Sequence, residues 1–355
     1  MQNTNDDLKR GTSQRGGRTG EDSELPPGRT LGKYRIRRKL GYGGMGDVYL
    51  AEDTSLGRLV AMKAIRFISG DPNDQQKLIE RFRREARAAS RLSHPNVVMI
   101  HAFEEIDGRH LQVMEYIDGW TLKEEIEGGP VKPDGHVACK MLDQETVAHY
   151  ANEILLGLEA IHGAGLVHRD LKPQNVMHAP DGRLKILDLG LVKFTELDLP
   201  HDPTLTSIGQ TMGSPMYMAP EQIAIQPVMH EVDQRTDLYA VGVVLFQLLT
   251  GKPPCTGATQ REIFHKHCFE PEPLLIAPGR PIDPRFQAII RKAMSKNQRE
   301  RFQTAAEMRE ALLALELFQE ARPRRPSQQS VPTVPKPQVA APKVTIIKGT
   351  QAEPV

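Results

Sequence analysis

From Tyr34 onward the chain sets short apolar runs between glycine-rich or polar turns. Tyr34–Leu40, Asp47–Ala51 and Arg58–Phe67 have the length and bordering residues of β-strands. At Gln75–Leu92 the period changes: Leu78, Phe82, Ala89 and Leu92 recur at helical spacing and predict an amphipathic helix. His110–Tyr116 reads as a further strand. Beyond about residue 145 the helical period dominates, over Glu145–His162, Asp237–Leu249, Arg285–Met294 and Thr304–Phe318. A strand-rich first third and a helix-rich remainder predict an α+β fold of two lobes with a cleft between them.

Composition marks the borders of this pattern. Residues 1–33 are rich in Gly, Arg, Asp and Thr, poor in large apolar side chains, and read as a disordered leader. From about residue 321 to Val355 the chain carries seven prolines, six Lys or Arg and one acid, which predicts an extended basic tail. The folded domain is then 34–320, with its lobes meeting near residues 116 and 117. A net charge of +1 argues against a nucleic-acid binder working by bulk electrostatics. No run approaches the roughly 18 apolar residues of a membrane span, and the polar N-terminus lacks a signal-peptide core. Cys139, Cys255 and Cys268 are too widely spaced for a zinc motif and read as reduced thiols of a cytoplasmic protein.

Chemistry concentrates in His168-Arg169-Asp170-Leu171-Lys172-Pro173-Gln174-Asn175. Gly163 and Gly165 end the preceding helix and Pro173 bars another, so the stretch is a loop. It brings together a carboxylate to accept a proton, an ammonium to meet anionic oxygens and an amide to ligate a hard cation. Phosphoryl transfer needs those three groups. Asp170 is the candidate base, Lys172 the phosphate contact and Asn175 a Mg²⁺ ligand. Eighteen positions beyond Asp170 stands Asp188-Leu189-Gly190, after a strand–turn–strand segment around Asp181-Gly182. Asp188 offers the second metal ligand, and Gly190 lets the chain turn.

A phosphate loop precedes these groups. Gly41-Tyr42-Gly43-Gly44-Met45-Gly46-Asp47-Val48 lies between two strands, and its glycines let backbone N–H groups approach phosphates. Strand leads into strand, which predicts a flap over phosphates; a dinucleotide loop would enter a helix. In Val60-Ala61-Met62-Lys63, Ala61 and Lys63 share a strand face, so Ala61 leaves room for a flat base while Lys63 reaches phosphate oxygens. Glu85 sits on an otherwise apolar helical seam, where an unpaired carboxylate costs several kcal/mol. Lys63 is its predicted partner. The nearby Arg81, Arg83, Arg84, Arg87 and Arg91 read as solvated faces.

Taken in order, these motifs resemble the eukaryotic-type (Hanks-type) serine/threonine protein kinases over residues 34 to about 320, and Gly43-Gly44-Met45-Gly46 resembles their bacterial branch. The resemblance implies a bilobal kinase fold, ATP and Mg²⁺ as cofactors, and protein substrates. It implies that Leu40, Gly41, Tyr42, Gly43, Gly44, Met45, Gly46, Asp47 and Val48 cover ATP, and that Val48, Ala61 and Met177 sandwich adenine. Met114 matches the gatekeeper, with Glu115 and Ile117 offering hinge backbone. Lys63, Glu85, Asp170 and Lys172 form the implied catalytic set, and Asn175 and Asp188 the metal set. Ala219-Pro220-Glu221 matches a peptide platform closed by Arg301, and Asp237 matches the residue that braces the catalytic loop.

Leu189 departs from the family's Phe, and an apolar residue there still packs beneath the helix bearing Glu85. Lys172, and Ser214 in Gly213–Tyr217, imply serine or threonine as acceptor. Arg169 beside the catalytic Asp implies a phosphate on the activation segment, residues 188–221, with autophosphorylation at Thr206 or Ser207 and Thr211 behind them. Self-association for transfer in trans fits that expectation. Glu127–Asp143 reads as an inserted surface loop. Three other functions would leave different marks on the sequence. A pseudokinase predicts damage at Lys63, Asp170, Asn175 or Asp188, and none is damaged. A small-molecule phosphotransferase would lack the peptide platform. An adaptor would rest on the weak Pro332/Pro335 spacing of the tail.

Overall fold

Six antiparallel strands build the first lobe of the computed structural model, in the order β1 (Thr30–Leu31), β2 (Tyr34–Gly43), β3 (Gly46–Asp53), β4 (Arg58–Ile65), β6 (Arg109–Glu115) and β5 (Ile100–Ile106). The structure describes residues 24–43, 46–66, 72–127, 141–189, 215–223, 231–277, 279–315 and 317. Both faces of β4 are covered, which is why Val60-Ala61-Met62 reads as an unbroken apolar run. Val60 and Met62 join Tyr34, Ile36, Tyr49, Leu111 and Val113 in a core on one face. Ala61 joins Val98, Met114 and Ile117 on the other, toward the cleft.

The domain begins earlier than composition suggests. Leu25 and Leu31 belong to the first-lobe core, β1 pairs with β2, and the Leu25 amide donates to Tyr49 Oη at 3.3 Å. The expected leader is therefore corrected from residue 24 onward: two leucines among the ten residues 24–33 are enough to join the sheet's core. Residues 1–23 lie outside the described residues, as does the expected tail.

Helix α1 (Pro72–Ala89) lays Phe82, Ala86 and Ala89 on the core. A short irregular segment after β6 leads to β7 (Trp120–Thr121) and the short α2 (Leu122–Glu127). Most of the expected insertion, residues 128–140, lies outside the described residues. The second lobe is built on α3 (Gln144–Gly163), which buries one face, and α4 (Gln234–Thr250), which buries side chains nearly all round. Around them lie α5 (Gln260–Phe269), α6 (Pro284–Ala293) and α7 (Ala305–Leu313). Side chains of Asp143, Asp233, Thr259, Asp283 and Thr304 accept from the first-turn amides and start the five helices. A three-stranded sheet, β7, β8 (Val176–His178) and β9 (Leu184–Ile186), lies at the junction and carries the groups that follow. Among the described residues no helix is long and apolar enough to cross a membrane.

Candidate active site

The catalytic loop hangs on one buried carboxylate. Asp237, in the first turn of α4, accepts the His168 amide at 2.8 Å, the Arg169 amide at 2.7 Å and His162 Nε2 at 2.8 Å. Burial opposes its ionisation, but the bonds from His162 and His168 hold its carboxyl below the usual carboxylate range. Arg169 takes a left-handed backbone (φ 64°), and Gln222 Nε2 donates to its carbonyl at 2.9 Å. Non-glycine residues rarely adopt that conformation, and the surrounding bonds impose it here. His168 ties the loop to the strand beyond: its Nδ1 accepts the Asp170 amide at 3.2 Å, so Nε2–H donates to the Leu187 carbonyl at 2.7 Å. The loop and the Asp188 turn are thereby one hydrogen-bonded unit.

Within that unit Lys172 Nζ lies 2.9 Å from Asp170 Oδ2. Asn175 Nδ2 donates to the Asp170 carbonyl at 2.8 Å and to Oδ2 at 3.2 Å. With its amide nitrogen so engaged, Asn175 presents Oδ1 as an acceptor. Asp188, at φ 53°, follows Leu187, whose amide donates to the Asn175 carbonyl at 2.8 Å. Asn175 and Asp188 line the same cavity. Hard oxygen donors of this kind fit Mg²⁺, which keeps few protein ligands and takes the rest from water and phosphate. No group of three or more His, Cys, Asp or Glu among the described residues competes for such an ion.

That cavity, about 430 Å³, runs between the lobes. Leu40, Val48, Ala61, Val98, Met114, Met177 and Leu187 supply apolar walls, and Lys63, Thr121, Glu124, Gln174, Asn175 and Asp188 supply polar ones. Gly41, Glu115 and Ile117 line it as expected. An apolar slot with a few polar groups at its edges is the usual form of a small-ligand site.

Two expectations change. Lys63 does not pair with Glu85; it donates to both carboxylate oxygens of Asp188 at 2.6 Å. Lys63 is nearly buried and faces the cleft with Ala61, and the left-handed turn at Asp188 brings that carboxylate to it, while Glu85 stays half-buried on α1. A metal at Asp188 would therefore displace this ammonium. Asp47 does not face the cleft: Val48 does, and alternation sends Asp47 to the other side of β3. There its buried carboxylate joins Lys39 (3.1 Å) and Arg66. Tyr42 stands 89% exposed at the flap. Gly46 has φ 140°, and a Cβ on it would fall 1.9 Å from the Ala64 carbonyl oxygen, so glycine is obligatory there. Gly44, Met45, Thr206, Ser207, Thr211 and Ser214 lie outside the described residues.

The platform residue Glu221 meets Arg301 in a bidentate pair, Nη1–Oε1 2.7 Å and Nη2–Oε2 2.9 Å, with Thr236 Oγ1 donating at 2.7 Å. Carbonyls of Ser295, Arg235 and Lys296 take the other guanidinium donors. Burial opposes ionisation of Glu221, but Arg301 and Thr236 hold its carboxyl low. Leu189 is buried in the same core as Phe82 and Ala86 of α1, as its apolar character predicts. The roles of His162, His168 and Gln222 have no signal in the sequence, because their partners are backbone groups or distant side chains.

The protein kinase domain family model matches residues 34–313. Over 331 residues the chain is 34% identical to the serine/threonine-protein kinase pkn3 of Myxococcus xanthus, covering 90% of this chain and 57% of that protein. Over 290 residues it is 37% identical to the serine/threonine-protein kinase PknE of Mycobacterium tuberculosis, covering 81% and 46%. The chain thus spans about half the length of the curated relatives it matches. The crystal structure of the M. tuberculosis PknI kinase domain superposes with a TM-score of 0.60 at 26% identity, covering 82% of this chain and 99% of that one. Fold and site together define the two-lobed architecture of a protein kinase domain. The chain belongs to the protein kinase family, in its Hanks-type bacterial serine/threonine branch.

Proposed function

We propose that this chain transfers the γ-phosphoryl group of ATP to serine or threonine hydroxyls of protein substrates, and to its own activation segment. The observation that carries this reading is the shared scaffold of Asp170, Asn175 and Asp188, bonded through His168 beside one cleft. Asp170 takes the proton of the attacking hydroxyl, and its carboxylate is aimed by Lys172 and Asn175. Lys172 meets the transferring phosphoryl group as a point charge. Lys63, released from Asp188, turns to the phosphate oxygens. Asn175 Oδ1 and Asp188 would hold Mg²⁺, which neutralises charge on the phosphates. The apolar slot between Ala61 and Met177 takes the adenine. Autophosphorylation at Thr206, Ser207 or Thr211, through a transient pair of chains drawing on cytoplasmic ATP, belongs to the same proposal. It is supported by the buried Arg169 beside the catalytic carboxylate.

Incubation with labelled ATP and Mg²⁺, using a basic acceptor protein and the chain itself, tests this. Acid hydrolysis is expected to place the label on phosphoserine and phosphothreonine. Label on tyrosine alone, or none on either acceptor, contradicts the reading.

A further inference from the structure

Behind the cleft lies a polar cluster that the proposed chemistry does not use. His178 Nε2 meets Glu125 Oε2 at 2.7 Å, and Tyr150 Oη donates to Glu125 Oε1 at 3.1 Å. Trp120 stacks on the His178 ring at 4.8 Å, and Tyr150 packs against it edge-on at 5.1 Å. His178 is fully buried and Glu125 is 5% exposed. His178 Nδ1 has no partner, so Nε2 carries the ring proton and the bond to Glu125 fixes the ring. Four elements meet here: β7, α2, α3 and β8.

The sequence neighbours of these residues show what the cluster acts on. Trp120 precedes Thr121, Glu124 precedes Glu125, and Met177 precedes His178. In each couple one residue lines the cleft (Thr121, Glu124, Met177) and the other is held in the buried cluster. Trp120 also pairs with His178, and Thr121 with Met177, across the β7–β8 ladder. The two strands approach so closely at Gly119 that a Cβ there would fall 1.7 Å from the His178 carbonyl oxygen. Apolar side chains would fill this space at no greater cost, since replacing both partners of a buried hydrogen bond by apolar groups of similar shape is nearly neutral. Directional bonds add a fixed distance between α2, α3 and β8. Displacement of a binding wall by about 1 Å is enough to matter for reaction rate and affinity.

We propose that Glu125 and His178, with Tyr150 and Trp120, are positioning residues for the nucleotide. They set the wall formed by Thr121, Glu124 and Met177 and thereby the affinity for ATP, without touching the reacting atoms. This rests on the reading of the cleft as the ATP site. The test uses the full chain, with the dissociation constant for ATP·Mg²⁺ measured by calorimetry beside KM and kcat. Glu125→Leu/His178→Leu is expected to keep the melting temperature, weaken ATP binding and raise KM about tenfold, and leave kcat within about twofold. Glu125→Gln, which keeps a carbonyl acceptor, is expected to recover most of that loss. A folded double variant with wild-type affinity overturns the proposal. Should the double variant not fold, Tyr150→Phe, which removes one hydroxyl, is expected to weaken binding about threefold, and unchanged affinity there overturns it equally. Wild-type chain that binds no ATP overturns the cluster's role. Binding without transfer leaves the cluster's role intact and contradicts only the proposed activity.

Discussion

One carboxylate, Asp237, fixes the conformation of the catalytic loop, because its two oxygens meet two consecutive amides and an imidazole. Asp237→Asn would turn an amide donor toward an N–H or toward His162, and leave a buried donor unmatched. We expect a loss of about 2–4 kcal/mol in unfolding free energy and a fall in transfer rate larger than that in ATP affinity, checked by urea denaturation and steady-state kinetics. Gly46→Ala places a methyl on the Ala64 carbonyl oxygen, and should strain β3 by several kcal/mol or unseat the flap. A melting temperature and ATP affinity equal to wild type would contradict the geometry. At this scale the sequence shows the candidate groups well, since Asp170, Lys172, Asn175 and Asp188 sit in short local motifs, and the structure brings Lys172 and Asn175 to Asp170 and lines one cleft with Asn175 and Asp188. It misleads at Lys63 because two carboxylates compete for one ammonium, and spacing cannot tell which is nearer.

At the scale of elements, legibility follows amphipathicity. Strands β2, β3, β4 and β6 and helices α1, α3, α4 and α6 fall within a few residues of their predicted spans. Strand β5 was not expected: Ile100–Ile106 alternates weakly, with His101, Glu104 and Glu105 among its seven residues. Helices α2 and α5 carry too few apolar positions to show a period, with buried contacts through Leu122, Ile126, Ile263 and His267. Helix α7 stops at Leu313, short of the predicted Phe318, although Leu315 is still buried beyond its end. The contact between the platform and the last helices depends on Arg301, whose side chain is wholly buried. Arg301→Met strands Glu221 without its partner and is expected to cost about 3–5 kcal/mol, read by chemical unfolding. The double variant Glu221→Gln/Arg301→Met should recover part of that loss. An Arg301→Met chain as stable as wild type would show that the pair contributes little.

For the whole molecule, two lobes from one sheet and one helical bundle were legible, whereas the depth of the polar interior was not, because burial of His168, His178, Asp237 and His267 depends on packing from distant segments. That interior sets a pH dependence. Burial, aided by Lys296, pushes His267 down to about 4. Between that value and about 6.5 the unfolded chain binds a proton that the folded chain does not, so stability rises with pH across the window. The contribution is on the order of 3 kcal/mol, and burial shifts His94, His101 and His110 in the same direction. Urea unfolding from pH 4.5 to 7.5 should show this slope, and His267→Asn should flatten it; equal slopes in both would contradict the assignment. In the proposed function Asp170 is the base, and the nucleotide site lies between the lobes. The most direct measurement is transfer of labelled phosphate with ATP and Mg²⁺ by wild type and Asp170→Asn, with ATP affinity measured in parallel. Unchanged affinity and a rate lower by about 10²–10⁴-fold are expected of Asp170→Asn. Transfer at the wild-type rate by Asp170→Asn would contradict that role.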